Sequence, residues 1–512
     1  MKHLEHQTVL VLGLGLSGLA LARWCARCGA TVTVADTRPS PPQLQALRDS
    51  VPSARFVCSE MVAGLLAGSS CRLVLRSPGL SPAEVAGVLA EARAQAVPCG
   101  NELSLFAQAL ADLKESQGYA PKVIGITGTN GKTTVTALTG RLLTRAGKSV
   151  AVAGNIGPTL LDTLTDKLDA GTLPQVWVLE LSSFQLDQVG NFEPAAATVL
   201  NLSQDHLDWH GSMQAYSAAK FNVYGNHGLM LLNRDDAAVM ASLPPLVKGK
   251  QLRDYITFGS DEPQRPGDYG METVNGMAWL VRAAEADETI RKKRSQAPPP
   301  LEPDGQRKYG DEDAVFIQRL MPVDALRIHG GHNATNALAA LALAGAVGGN
   351  MAAMLHGLRE YTGEPHRVAS VAVIHDVEYF DDSKGTNVGA TAAALAGLGV
   401  QRKLVLIAGG DGKGQDFSPL AEPVRRHARA VILIGRDAPL IRAALLGTGV
   451  LLLEADSMQA AVGLAAAQAQ TGDAVLMSPA CASFDMFDNY GHRAQVFCAA
   501  VQSLAHDAGV IA

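Results

Sequence analysis

Ile124-Gly-Ile-Thr-Gly-Thr-Asn-Gly-Lys-Thr-Thr134 carries the most specific chemistry in this chain. Gly128 and Gly131 let backbone N–H groups close around phosphate oxygens. Lys132 offers a point charge for β- and γ-phosphates, and the Thr133 hydroxyl can ligate Mg²⁺. The helix that follows adds its N-terminal dipole. The usual spacing asks for glycine at position 126, where this chain has Ile126, so the loop is a variant. Such a loop serves motors, GTPases, kinases and ligases alike. No N-K-x-D segment for a guanine base is present.

Gly13-Leu-Gly-Leu-Ser-Gly18 is a second phosphate-loop candidate, and Asp36 closes the strand that follows it. The pattern suits a dinucleotide, with Asp36 on ribose hydroxyls. It suits the diphosphate of another nucleotide equally, or a tight turn without ligand. No hydride-transfer constellation accompanies it.

These motifs need strand–loop–helix units to hold them. Strands are expected at Thr8–Leu12 and Thr31–Ala35, with a helix at Leu19–Cys28 between them, a parallel arrangement. A second section has strands at Lys122–Ile126, Gln175–Leu179 and Ala197–Asn201. Its helices are Lys132–Ala146 and His332–Ala346. A third has strands at Val371–Ile374, Lys403–Ala408, Ala430–Ile434 and Ala474–Met477, alternating with alanine-rich helices. The charged, proline-rich stretch 285–313 lacks periodicity and reads as a surface loop or disordered insertion.

Composition narrows the class. The 512 residues suggest about three domains. A net charge of −6 argues against non-specific binding to nucleic acid or an anionic membrane. No apolar run reaches the ~18 residues of a membrane span. Seven cysteines at irregular spacing, among them Cys25 and Cys28, indicate a reduced cytoplasmic chain. There are 51 glycines, above the usual ~7%. Twelve of them fall in four loops at 13–18, 125–131, 154–157 and 409–414.

With both motifs in one chain, the sequence resembles the Mur ligase family. The likeness rests on G-L-G-L-S-G, A-D-T-R at 35–38, S-P-G at 77–79, G-T-N-G-K-T-T at 128–134 and G-N-I-G at 154–157. It continues in L-E-L-S-S-F-Q-L at 179–186, the D-H at 205–206, A-A-K at 218–220, H-N-A-T-N at 332–336 and P-H-R at 365–367. D-D-S-K-G-T-N at 381–387, G-G-D-G-K at 409–413 and S-P-A-C-A-S-F-D at 478–485 complete it. The S-K-x-T-N and S-P-A-C-A-S segments point to the members that add D-glutamate to UDP-N-acetylmuramoyl-L-alanine. Folylpolyglutamate synthases share the central section but lack this first domain.

The resemblance implies an α/β fold of three domains. A Rossmann-like N-terminal domain at 1–100 would bind the UDP-sugar. A central P-loop ATPase-like domain at 101–363 would bind ATP. A Rossmann-like α/β domain at 364–512 would bring the amino acid. The implied reaction is ATP-dependent amide formation through an acyl phosphate, in cytoplasmic peptidoglycan precursor synthesis. A monomer that neither binds nucleic acid nor inserts into membranes is expected. The alternatives are another Mur-type or folylpolyglutamate-type ligase, use of L-glutamate, a nucleotide-dependent switch protein or a nicotinamide oxidoreductase.

Roles follow from the resemblance. Lys132, Glu180, His206 and Lys220 would be catalytic. Thr133, Glu180, His206 and a carbamylated Lys220 would hold two Mg²⁺ ions, with Ser182 a further candidate. Glu180 ends an apolar strand, where an unpaired carboxylate is costly without a cation. ATP would meet Gly128, Thr129, Asn130, Gly131, Lys132, Thr133, Thr134, Asn333, Asn336, Arg367 and Asp382. The UDP-sugar would meet Leu16, Ser17, Asp36, Thr37, Arg38, Gly79 and Asn155. D-Glutamate would meet Lys384, Thr386, Lys413, Ser483, Phe484 and Tyr490. Ser17 stands where the family often has threonine, and Asn489-Tyr-Gly-His-Arg-Ala494 departs from its aromatic-Glu-x-Arg-Gly.

Overall fold

Residues 4–67, 70–285, 315–328, 330–400 and 402–510 are described by a computed structural model. Three sheets organise the chain. The first contains β1 (Thr8–Leu12), β2 (Thr31–Asp36), β3 (Arg55–Cys58), β4 (Cys71–Arg76) and β5 (Cys99–Gly100). Its order is β3-β2-β1-β4-β5 and every pairing is parallel. β1 pairs on both sides and its last four residues are buried, which is why it reads as an unbroken apolar run. The first helix begins at Leu16, inside the glycine motif and three residues before the expected start. That brings its N-terminus up to the loop.

The second sheet contains β6 (Lys122–Thr127), β7 (Val150–Gly154), β8 (Val176–Glu180), β9 (Ala196–Val199), β10 (Leu229–Asn233), β11 (Tyr255–Phe258), β12 (Tyr269–Val274), β13 (Met277–Glu285) and β14 (Val315–Pro322). The order is β14-β13-β12-β11-β10-β9-β6-β8-β7. β12, β13 and β14 form an antiparallel edge that the sequence reading did not anticipate. The expected insertion at 285–313 lies outside the described residues, apart from Glu285, which ends β13. β6 lies between β9 and β8, so the phosphate loop leaves an interior strand at a switch in strand order. Ligand crevices form at such points.

The third sheet contains β15 (Ala369–Ile374), β16 (Val377–Asp381), β17 (Leu404–Gly409), β18 (Ala428–Ile434), β19 (Leu451–Glu454) and β20 (Ala474–Met477). Its order is β15-β16-β20-β17-β18-β19, with β15–β16 an antiparallel hairpin and the rest parallel.

Packing divides the molecule unequally. One apolar cluster joins the first sheet to the second, from Val9 and Trp24 through Leu103 and Phe106 to Trp177 and Leu186. The helix Glu102–Gln117 is the bridge. Its Phe106 meets Trp177 edge-on at 5.1 Å, and the Trp177 indole donates to the Tyr119 hydroxyl at 2.9 Å. Burying one such aromatic stabilises the fold by roughly 2–3 kcal/mol. The third sheet has its own clusters, centred on Leu406 and Leu433 on one face and on Val405, Ile432 and Phe497 on the other. The first two units are therefore joined by an apolar core. Between the second and third no apolar cluster is shared among the described residues; hydrogen-bonded polar side chains and a close approach of Gly330 to Gly397 meet around a cavity.

Candidate active site

The phosphate loop is shaped by backbone first. Gly128 has φ +150°, and a Cβ there would sit 2.9 Å from Leu200 Cβ. Asn201 then pins the loop. Its Oδ1 accepts from Asn130 N at 2.8 Å, and its Nδ2 donates to Asn130 O at 3.1 Å. Lys132 arches back over the loop and donates to Gly128 O and Thr129 O, both at 2.8 Å. Burial lowers its ammonium pKa, while Glu180 and Asp205 oppose the shift. A terminal phosphate would meet a cation that the loop already holds.

Glu180 ends β8 and is 1% exposed. Its Oε1 accepts from Asn155 Nδ2 at 2.8 Å, whereas its buried Oε2 has no hydrogen-bond partner. An isolated buried carboxylate oxygen is expensive. Lys220 is also buried, at 2% exposure. Its Nζ donates to Gly128 O at 2.8 Å and Thr127 Oγ1 at 3.3 Å, and stands 4.7 Å from the Tyr216 ring centroid. Burial first, and Lys132 second, push its pKa well below the usual lysine range. The shift runs toward the neutral amine, the form that adds to CO₂.

His206 sits in left-handed backbone, with φ +54°. Its N–H donates to Asp205 Oδ1 at 3.1 Å, and its Nε2 is 3.6 Å from Asp205 Oδ2. Its ring packs edge-on against Phe184 at 4.7 Å. Burial lowers its pKa despite Asp205, so imidazole is the resting form. His366 (φ +63°), Val368 (φ +51°) and Lys413 (φ +50°) share this backbone region. For β-branched Val368 that is a genuine outlier. Such strain gathers at functional sites, and His366 and Val368 bracket Arg367.

A cavity of about 310 Å³ opens beside the loop. Seven ATP candidates line it: Asn130, Gly131, Thr134, Asn333, Asn336, Arg367 and Asp382. Thr133 Oγ1 accepts from Arg367 at 2.8 Å and from Lys384 at 3.4 Å, so two cations of the third unit reach into the loop. Asp382 accepts from Ser478 Oγ at 2.6 Å, and burial raises its pKa to about 7.

Around β1 a second group assembles. A Cβ at Gly18 would sit 2.0 Å from Gly13 O, so the helix can approach this closely only with glycine there. Asp36 accepts from Leu14 N at 2.7 Å and from Arg38 N and side chain at 2.8–2.9 Å. Burial works against the Asp36 carboxylate, but these bonds prevail and hold it at about 2. Both its oxygens thus order the loop and present Arg38, while Leu16, Thr37 and Gly79 remain exposed.

The amino-acid candidates are brought together in part. Lys384 stands 5.3 Å from the Tyr490 ring, and Lys413 points at Asp205 across 4.0 Å. Ser483 is buried, whereas Phe484 is exposed on the surface. Thr386 is half-buried. Ser182 caps the short helix Ser183–Leu186, and its hydroxyl is engaged with Gln185. Asn155 is directed to Glu180 rather than to the group around β1. Sequence reasoning assigned no role to Asp205, Asn201 or Asn387. Asp205 could have been found as the acid preceding His206; the two asparagines carry no such signal.

A divalent cation fits this centre. Among the described residues no three His, Cys, Asp or Glu side chains converge to hold a metal by themselves. Mg²⁺ characteristically takes one or two carboxylates and completes its shell with phosphate oxygens and water. The free Glu180 Oε2 and the Thr133 hydroxyl are donors of that kind.

Three family models match the chain. They are the Mur ligase MurD-like N-terminal domain over 7–100, the Mur ligase middle domain over 126–298, and the Mur ligase glutamate ligase domain over 366–481. A UDP-N-acetylmuramoylalanine--D-glutamate ligase from Albidiferax ferrireducens is 63% identical, covering 99% of this chain and 98% of its own. One from Ralstonia nicotianae is 59% identical, with 98% of each chain covered. Among solved structures, MurF from Thermotoga maritima in complex with ADP superposes with a TM-score of 0.56 at 14% identity, covering 99% of this chain and 97% of its own. MurC from the same organism gives 0.54 at 19%, covering 98% and 100%. These two likenesses bear on the fold.

Proposed function

The chain belongs to the Mur ligase family, and from that premise we propose that it joins D-glutamate to UDP-N-acetylmuramoyl-L-alanine at the expense of ATP, in peptidoglycan precursor synthesis. The observation that carries this reading is the junction at Thr133. There the phosphate loop meets Arg367 and Lys384 from the unit assigned to the amino acid.

A carboxylate is a poor electrophile because oxide is its leaving group. The alanyl carboxylate attacks the γ-phosphorus, ADP departs, and an acyl phosphate forms. The glutamate amine then adds to the carbonyl carbon, loses a proton, and expels inorganic phosphate. Positioning and charge neutralisation are the protein's tasks. Lys132 and Arg367 balance the transferring phosphoryl group. Neutral His206, beside Asp205, offers an imidazole lone pair to a cation. Asp36 and Arg38 hold the uridine end, with Leu16, Ser17, Thr37 and Gly79 beside them. Lys384, Thr386, Lys413, Ser483, Phe484 and Tyr490 receive glutamate.

Mg²⁺, when bound, would offset the phosphate charge that builds up in transfer. Thr133, Glu180, His206 and Lys220 as its carbamate are the groups assigned to two such ions. Carbamate formation joins the amine nitrogen to CO₂ and releases one proton. It turns the neutral amine into an anion that joins the Glu180 carboxylate at the site. All seven cysteines are free thiols, and no helix among the described residues is long and apolar enough to cross a membrane. Both support placing the enzyme in the cytoplasm.

Phosphate release tests the reading. It should require UDP-N-acetylmuramoyl-L-alanine and D-glutamate together. L-Glutamate, L-alanine and diamino acids should each give less than about a hundredth of that rate, the discrimination expected of buried polar groups. Equal rates with a diamino acid would move the chain to a sister ligase.

A separate prediction concerns Asp36. Asp36→Asn should raise KM for the sugar nucleotide about tenfold while kcat stays within about twofold, the pattern of lost uniform binding. Sugar-nucleotide binding should also be flat between about pH 5 and 9. With a folded pKa near 2, Asp36 stays ionised throughout that range and its contribution does not titrate. Calorimetric titration across that range checks it.

A further inference from the structure

We propose that Asn387 is a positioning residue that latches the third unit onto the phosphate loop, holding the Asn130 side chain and Asp205 in place only while that unit is closed. This rests on the ligase reading, because it gives closure a reaction to serve.

Asn387 is 4% exposed and caps the helix Val388–Leu398. Its Oδ1 accepts from Ala390 N at 2.9 Å. The amide has a second end. Its Nδ2 donates to Asn130 Oδ1 at 3.0 Å and faces Asp205 Oδ2 at 3.4 Å. Asn130 is the phosphate-loop residue that Asn201 pins through its backbone. Asp205 accepts from the His206 backbone N–H and faces Lys413. One amide therefore touches both the loop and the acid beside His206.

A second feature is independent of that amide. A Cβ at Gly389 would lie 3.0 Å from Ser203 Oγ and 3.1 Å from Asn130 Nδ2. Glycine is thus what lets this helix come so near the loop. Its backbone is helical, without the positive φ that would by itself call for glycine. Closeness to the loop accounts for it.

The consequence is mechanical. Without an apolar core between the units, closure depends on polar contacts that form and break together. When the third unit swings away, Asn387 loses both acceptors and Asp205 loses Lys413. Phosphoryl transfer is then disfavoured until the amino-acid unit is seated, which shields the acyl phosphate from water.

Two variants separate latch from cap. Asn387→Ser keeps a cap hydroxyl but is too short to reach Asn130. Gly389→Ala favours the helix intrinsically but puts a methyl group against Ser203 Oγ and Asn130 Nδ2, so the latch contact must give. Each should keep its thermal midpoint within about 3 °C, since helix capping and propensity are retained. Each should lower kcat about tenfold, as expected for lost hydrogen bonds to a charged group. X-ray scattering of the full chain with UDP-N-acetylmuramoyl-L-alanine and a non-hydrolysable ATP analogue should show the parent compact and both variants more extended. A compact Asn387→Ser protein, or kcat within about twofold of the parent, would overturn the latch. If the parent releases no phosphate with D-glutamate, the ligase reading fails, while the scattering comparison still decides the latch.

Discussion

Lys220→Ala should lower turnover by about three orders of magnitude, the scale of losing a transition-state charge partner. Bicarbonate should not restore the variant, because no amine remains to take up CO₂. A short carboxylic acid such as formate should restore part of the rate, since it brings an anion into the space the side chain leaves. A plain lysine at this position would be hard to explain. Its Nζ lies in the same buried neighbourhood as Lys132, and both donate to Gly128 O. Two ammonium groups so placed repel, and burial disfavours each. Carbamylation removes one positive charge and supplies a negative one.

The variant should still fold, because Lys132 keeps Gly128 O satisfied. Lys220→Arg discriminates between the readings. A guanidinium preserves positive charge and cannot form the carbamate. If Lys220→Arg retains more than about a tenth of parent turnover, the group acts as a cation and the carbamate assignment falls. The parent should lose activity on acidification. Lowering pH through the depressed lysine pKa protonates the amine and withdraws it from CO₂. Added CO₂ should move that fall to lower pH, which a pH–rate profile at two CO₂ pressures reads directly.

The strands were legible because burial on both faces leaves a plain signature. Thr8–Leu12 and Ala474–Met477 have the bounds their apolar runs indicate. Glu180 was legible as a strand-end carboxylate, and the structure adds that one of its oxygens is bare. The antiparallel edge β12–β14 was not legible. Its residues alternate between the faces, and burial there depends on the neighbouring helix, which no local pattern records.

Glycine shows the same limit. The surplus does mark the ligand loops, yet Gly125 belongs to packing. A Cβ there would meet Val223 and Phe192 at 2.8 and 3.2 Å. Arg367 and Asp382 were expected to reach ATP from the third unit, but the amide contact beneath them was invisible for a different reason. Asn130 and Asn387 are 257 positions apart, and each alone reads as a loop or cap residue. Family resemblance named the ligand loops, whereas only coordinates show which of them touch.

Glu180→Gln should move stability and activity in opposite directions. The carboxylate is buried with Oε2 unpaired, and Asn155 serves only Oε1. Lys132 offsets part of the charge, but the unbonded Oε2 leaves a desolvation cost on the ligand-free protein. A neutral amide of the same shape keeps the Asn155 bond through its oxygen and removes the charge. The thermal midpoint of the ligand-free enzyme should therefore hold or rise, by about 1 °C for a gain near 1 kcal/mol in a chain of this size. Turnover should fall by about a thousandfold, because the charge that would hold a cation against phosphate is gone. Added Mg²⁺ and ATP should then stabilise the parent but not the variant, since ligand binding raises the midpoint only where the site is intact. Melting curves of both proteins, with and without Mg²⁺–ATP, provide four values. A structural carboxylate would give a variant that melts earlier in both conditions, and a cation site gives the crossed pattern.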